Sequence, residues 1–216
     1  MSEAAGRIAD THIRASRIAR QNEPMFFTIP TLLTWARIVA IPLIVGVFYL
    51  PVADPLRNLV ATVLFVVTAL TDWLDGYLAR RLNQTSAFGA FLDPVADKFL
   101  VCASLLVLVH LDRCNALLAL VIIGREIAIS SLREWMAQIG ASKSVAVHML
   151  GKWKTAMQMV AIPFLLYDGV GEQRLFGLID THLWGTVLLV IAAVLTIWSM
   201  VYYLQKAIPE IRAKAR

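Results

Sequence analysis

The chain has 216 residues, of which 59% are hydrophobic and only 16% charged, against a soluble norm of about 45–50% and about 25%. That composition excludes a disordered chain, a fibrous protein and an ordinary water-soluble globule. The net charge of +5 points to a membrane surface or an anionic substrate; no basic, aromatic-laced polar face suited to nucleic acid is visible.

The chain begins with a basic segment, residues 1–28, in which Ile8, Ala15, Ile18 and Ala19 fall on one helical side with arginines elsewhere. A basic amphipathic helix lying on anionic lipid and a plain tail are both open readings. No apolar core follows its charges, so it is not a secretory signal.

Six stretches then approach the roughly 20 apolar residues that a membrane-crossing helix needs. They are Thr31–Leu50, Arg57–Arg80, Phe88–Leu111, Cys114–Trp135, Leu150–Tyr167 and Leu183–Gln205. The breaks between them carry Pro, Gly, Asp and Asn. Cys102 and Cys114 lie in or beside apolar runs, so no disulfide framework is implied. Orientation follows from lysine and arginine. Arg57, Arg113 and Arg174 fall on one side; fourteen basic residues, from both chain ends and the loops around Arg80 and Lys143, fall on the other. The expected architecture is an all-α integral membrane protein with six transmembrane helices over residues 29–206. Both termini are then cytoplasmic, including a basic tail over 207–216.

Four carboxylates interrupt this apolar pattern. Asp72 and Asp75 lie roughly 60° apart on the second helix, with Gly76, Ala79 and Arg80 on the same face. On the third, Gly89, Asp93 and Asp97 form an i, i+4, i+8 line. A short connection makes these helices antiparallel neighbours, so all four aspartates can point into one cleft at the cytoplasmic end. Ionised side chains at membrane depth are costly and usually functional. Only Arg80 and Lys98 are expected near enough to pair with them. Converging carboxylates repel, and a divalent metal resolves the repulsion. Oxygen-only ligands select a hard ion, Mg2+ or Mn2+, which commonly brings phosphate with it.

The full string is Asp72-Trp-Leu-Asp75-Gly76-Tyr-Leu-Ala79-Arg80, then eight residues to Gly89, three to Asp93 and three more to Asp97. It resembles the signature of the CDP-alcohol phosphatidyltransferases, with every fixed position and both spacings present. The likeness extends from about Ile29 to Tyr203. It includes Leu32-Leu-Thr-Trp-Ala-Arg37, Arg125-Glu-Ile and Gly151-Lys-Trp-Lys154. Two departures are the Thr31 that stands where the family often has asparagine, and the basic N-terminal extension.

The resemblance implies a six-helix bundle, usually a homodimer, in a bacterial inner membrane with its site at the cytoplasmic face. It implies two divalent ions held by Asp72, Asp75, Asp93 and Asp97, with Asp97 also acting as base. CDP-diacylglycerol would lie against Asp72, Gly76, Arg80 and Gly89, with Thr34 close by. The flanking segments point to sn-glycerol 3-phosphate as acceptor and CMP as the second product, with membrane lipids as the surroundings.

The acceptor's phosphate needs cations of its own. Arg125 lies well inside the fourth span, where an arginine is expensive. Arg133 follows about 80° round the same helix. Lys152 and Lys154 are about 200° apart on the fifth helix, so only one can face a central cleft. The motif favours Lys152, leaving Lys154 to hold the cytoplasmic side. Glu126 and Glu134 brace neighbouring cations. Rival readings are another acceptor such as inositol phosphate, an intramembrane Mg-dependent prenyltransferase, or a cation transporter using the aspartates as its path. An unphosphorylated acceptor would not need Arg125, and a prenyltransferase lacks this Gly and Ala-Arg spacing. A transporter predicts carboxylates at the midplane.

Overall fold

A computed structural model describes residues 29–82, 87–140, 149–168, 174–175 and 179–214. The basic segment 1–28 lies outside the described residues, as do the side chains of Asp75, Gly76, Arg80 and Lys152. Six α-helices make up almost all of what is described: α1 (Ile29–Gly46), α2 (Asp54–Leu82), α3 (Ala87–His110), α4 (Ala116–Gln138), α5 (Met149–Tyr167) and α6 (Thr181–Lys214). A 3-10 turn, Val47–Tyr49, follows α1. A two-residue antiparallel pairing of Arg174–Leu175 with Ile179–Asp180 interrupts the stretch before α6 that the sequence reads as an irregular break.

The helices start and stop for local reasons. Pro30 occupies the first turn of α1, where a missing N–H costs nothing. The Asn115 side chain caps α4 by accepting from the Leu117 N–H at 2.8 Å. The Asp180 carboxylate accepts from the Leu183 N–H at 2.9 Å and caps α6. Gly140, with φ 70°, closes α4 in the left-handed conformation that glycine adopts without strain. Within α2 the hydroxyls of Thr62 and Thr68 donate to carbonyls four residues back, so they enter an apolar medium already satisfied.

α6 overruns its expected end. It continues past Gln205 because Tyr203 and Ala207 are buried with Ile129 and Met136 of α4, with Ile211 packed against them. Continuous apolarity stops at Gln205; a one-sided apolar stripe sustains the helix for two further turns.

The main core joins Ile41 and Ile44 of α1, Phe65 of α2, Leu100, Leu105 and Leu108 of α3, Ile122 of α4, Ile162 and Leu165 of α5, and Leu189 of α6. Gly185 lets α6 approach α5 so closely that a Cβ there would stand 2.7 Å from Leu165 Cγ. The core is apolar, as in a soluble protein, but so is much of the exterior. The largest fully buried side chains include Arg37 and Lys154, while Leu117, Phe91, Trp198 and Ile127 are exposed. Lipid is the solvent that tolerates such an exterior. α1, α2 and α6 contain stretches long and apolar enough to cross a membrane: Thr31–Tyr49, Asp54–Asp72 and Thr181–Arg212. α3, α4 and α5 carry the charges discussed below. This is an all-α membrane protein.

One end of the bundle is stitched by polar contacts. Arg113, in the α3–α4 turn, donates to the Leu166 carbonyl at 3.0 Å and so satisfies the C-terminal end of α5. Asn58 donates to the Asp168 carbonyl at 2.6 Å, and the Asp168 carboxylate lies 2.9 Å from His182 Nδ1. Burial lowers the Arg113 pKa from its ordinary value, opposed by the neighbouring Asp168. The aspartate string lies at the opposite end, where α2 finishes and α3 begins.

Candidate active site

α1 supplies two polar side chains one turn apart, Thr34 and Arg37, both 1% exposed. α3 supplies Asp93 and Asp97, also one turn apart. The two pairs meet rung by rung. The Thr34 hydroxyl donates to Asp93 Oδ1, and Arg37 Nη1 donates to Asp97 Oδ1 at 2.6 Å. The same Nη1 lies 2.8 Å from Asp72 Oδ1, on α2. One guanidinium thus ties three helices together. Pro94 lies between the two α3 aspartates and withholds the N–H that would close that helical turn.

The sequence expectation that only Arg80 and Lys98 could pair with these carboxylates is corrected: Arg37 does so. It went unassigned because it sits in an apolar span whose periodicity says nothing about partners on other helices. The available signal was its charge, an ionisable residue within a membrane span three positions after Thr34. Gly89, expected against the nucleotide, is buried two rungs before Asp97 on α3.

A second polar group lies inside the bundle between α4, α5 and α6. Arg125 is buried; its Nη2 donates to Ser199 Oγ at 3.0 Å, its Nη1 lies 3.4 Å from Glu126 Oε1, and its guanidinium stands 5.8 Å from the Tyr203 ring centre. Lys154, 2% exposed, pairs with Glu126. This corrects the assignment of Lys154 to the cytoplasmic surface. Helical spacing allows only one of Lys152 and Lys154 to face a central cleft; Lys154 is buried and paired with Glu126. The bracing role expected of Glu126 is borne out. Arg133 and Glu134, two turns further along α4, are exposed.

Two cations against one carboxylate leave this group with one positive charge in excess. Among the described residues, Arg125 Nε and Gln158 Nε2 are buried donors without a hydrogen-bond partner. Gln158 follows Lys154 by one turn of α5. α3, which carries Asp93 and Asp97, also packs against α4 and α5, the helices that carry Arg125, Glu126 and Lys154.

Asp72, Asp93 and Asp97 offer only carboxylate oxygens, which suit a hard divalent cation. The side chains of Asp72 and Asp97 are 36% and 37% exposed, so an ion can reach them. Among the described residues no three such groups already converge as a ligand set, and the fourth aspartate, Asp75, contributes a side chain outside them. The donor chemistry fits a divalent ion.

Carboxylates at one end of a membrane bundle and a buried cationic group within it suit substrates carrying phosphate. Residues 27–198 match the sequence model of the CDP-alcohol phosphatidyltransferases, and the chain belongs to that family. The family is generally divalent-metal dependent.

The chain is 46% identical over 185 residues to the CDP-diacylglycerol–glycerol-3-phosphate 3-phosphatidyltransferase of Haemophilus influenzae, covering 85% of this chain and 95% of that protein. Proteins of the same name from Salmonella choleraesuis and Escherichia coli K12 are 49% and 50% identical over 189 and 190 residues. Each alignment covers 85% of this chain and 96% of the relative.

Proposed function

We propose that the protein transfers the phosphatidyl group of CDP-diacylglycerol to sn-glycerol 3-phosphate, giving phosphatidylglycerophosphate and CMP. The observation that carries this reading is the buried excess of positive charge at Arg125 and Lys154, in the same bundle as the aspartates. It suits an acceptor that brings a phosphate of its own. The names of relatives about half identical over nearly their whole length support the same substrates.

The chemistry follows from the charges. Asp72, Asp75, Asp93 and Asp97 would hold Mg2+ or Mn2+, and such ions neutralise a diphosphate and stabilise a departing phosphate. The nucleotide lies along Asp72, Gly76, Arg80 and Gly89, with Thr34 fixing the orientation of Asp93. Arg125 and Lys154 hold the acceptor's phosphate, together with Arg133 and Lys152. The acceptor's hydroxyl oxygen attacks the phosphorus that bears diacylglycerol. A new P–O bond forms, the P–O bond to CMP breaks, and CMP leaves with that electron pair. The alcohol proton passes to Asp97; general-base help of this kind is typically worth about 10²–10⁴-fold.

In this reading the chain crosses a bacterial inner membrane six times with both termini in the cytoplasm, and the site faces the cytoplasm, where polar CDP and apolar diacylglycerol can both be accommodated. The test is CMP release by purified protein given Mn2+, CDP-diacylglycerol and, separately, sn-glycerol 3-phosphate, inositol 1-phosphate or serine. Release with glycerol 3-phosphate alone is expected. Preference for either other acceptor would sink the assignment.

A further inference from the structure

We infer that Arg37 is a built-in counter-cation for the metal site, holding Asp72 and Asp97 together when no ion is bound and competing with the ion for them. The inference rests on the proposed reading of the aspartates as metal ligands. Arg37 is a positioning residue, since it acts through the two carboxylates.

The geometry is specific. The Arg37 side chain has no exposed surface, and its Nη1 lies 2.6 Å from Asp97 Oδ1 and 2.8 Å from Asp72 Oδ1. The two carboxylates come from different helices, α2 and α3, and the cation from a third, α1. Two carboxylates brought this close repel unless a cation intervenes, and a guanidinium buried in a membrane bundle is costly unless carboxylates compensate it. Each need answers the other. A divalent ion drawn to the same aspartates meets a positive charge already bonded to one oxygen of each. Its affinity is therefore lower than that of the same carboxylates beside a neutral residue.

Charge, rather than shape, is the property at issue, and the variants separate them. Arg37→Gln keeps hydrogen-bond donors and removes the charge; Arg37→Lys keeps the charge and removes the planar fork. The full-length protein, purified in detergent, is titrated with Mn2+ alone by calorimetry. Thermal unfolding is followed in chelator and in saturating Mn2+. Arg37→Gln should bind Mn2+ at least about tenfold more tightly than the wild type, because an opposing charge at contact distance is gone. Arg37→Lys should stay within about threefold of it. In chelator Arg37→Gln should melt below the wild type, and Mn2+ should restore most of the difference; a variant that folds only with Mn2+ gives the same answer.

Unchanged or weaker Mn2+ binding by Arg37→Gln would overturn the inference. So would tightening by Arg37→Lys equal to that of Arg37→Gln, since that would make the effect one of packing. Failure of the wild type to bind Mn2+ would overturn the metal reading and this inference with it, whereas normal wild-type binding with unchanged variants overturns this inference alone.

Discussion

Arg125→Ala tests the acceptor site most directly. The substitution removes a buried guanidinium that bonds Ser199 at 3.0 Å and faces Glu126 at 3.4 Å. What remains is the Lys154–Glu126 pair, which is neutral overall, so no uncompensated charge is left buried and folding should survive. The positive excess, however, is gone. A hydrogen bond to a charged group contributes roughly 1.5–3 kcal/mol, which corresponds to a loss of about 10–150-fold. That loss should fall on kcat/KM for glycerol 3-phosphate. Initial rates of CMP release, with each substrate varied at a saturating level of the other, separate the two sites. Arg125→Lys should recover part of the loss, because it keeps the charge without the fork. If Arg125→Ala leaves the KM for glycerol 3-phosphate within about threefold while weakening CDP-diacylglycerol, the guanidinium serves the nucleotide and the reasoning fails.

Three other experiments bear on the remaining assignments. Asp97→Asn should lose at least about 10²-fold in kcat while retaining much of its Mn2+-dependent affinity for CDP, and Asp72→Asn should lose both; equal loss of CDP affinity in the two would make Asp97 chiefly a ligand. Lys154→Met should raise the KM for glycerol 3-phosphate more than Lys152→Met does, because Lys154 is buried against Glu126; the reverse order in steady-state rates would restore the motif's preference for Lys152. Gly185→Val should cost about 1–3 kcal/mol, since its Cβ would meet Leu165 Cγ at 2.7 Å; an unchanged melting temperature in detergent would show that α5 and α6 can separate freely there.

Helix positions were readable because the chain's punctuation is strong. Asn and Ser around residue 84, Asp112 and the glycine-bearing stretch near residue 140 stop apolar runs abruptly. The expected Phe88–Leu111 and Leu150–Tyr167 therefore differ from α3 and α5 by a single residue at each changed boundary. The aspartate line on α3 was readable for the same reason, being a one-turn repeat within one element. Partners across elements were not. Arg37 meets Asp72 and Asp97 across sequence separations that no periodicity reports. Lys154 was turned outward in the sequence reading because spacing could establish only that it and Lys152 oppose each other. Deciding between them requires knowing that Glu126 faces α5, a property of packing.

The arrangement of counter-charges explains how opposite poles can coexist in one small bundle. Aspartates and cations left to themselves inside a low-dielectric interior would collapse onto each other, since that attraction is far stronger there than in water. Here each pole carries its own smaller opposite. Arg37 sits among Asp72 and Asp97 and leaves the aspartates of that end net negative. Glu126 sits between Arg125 and Lys154 and leaves that group net positive. Neither pole is neutralised, and neither needs the other to be stable. A negative pole can then take up divalent cations and a positive pole a phosphate, each binding on its own terms.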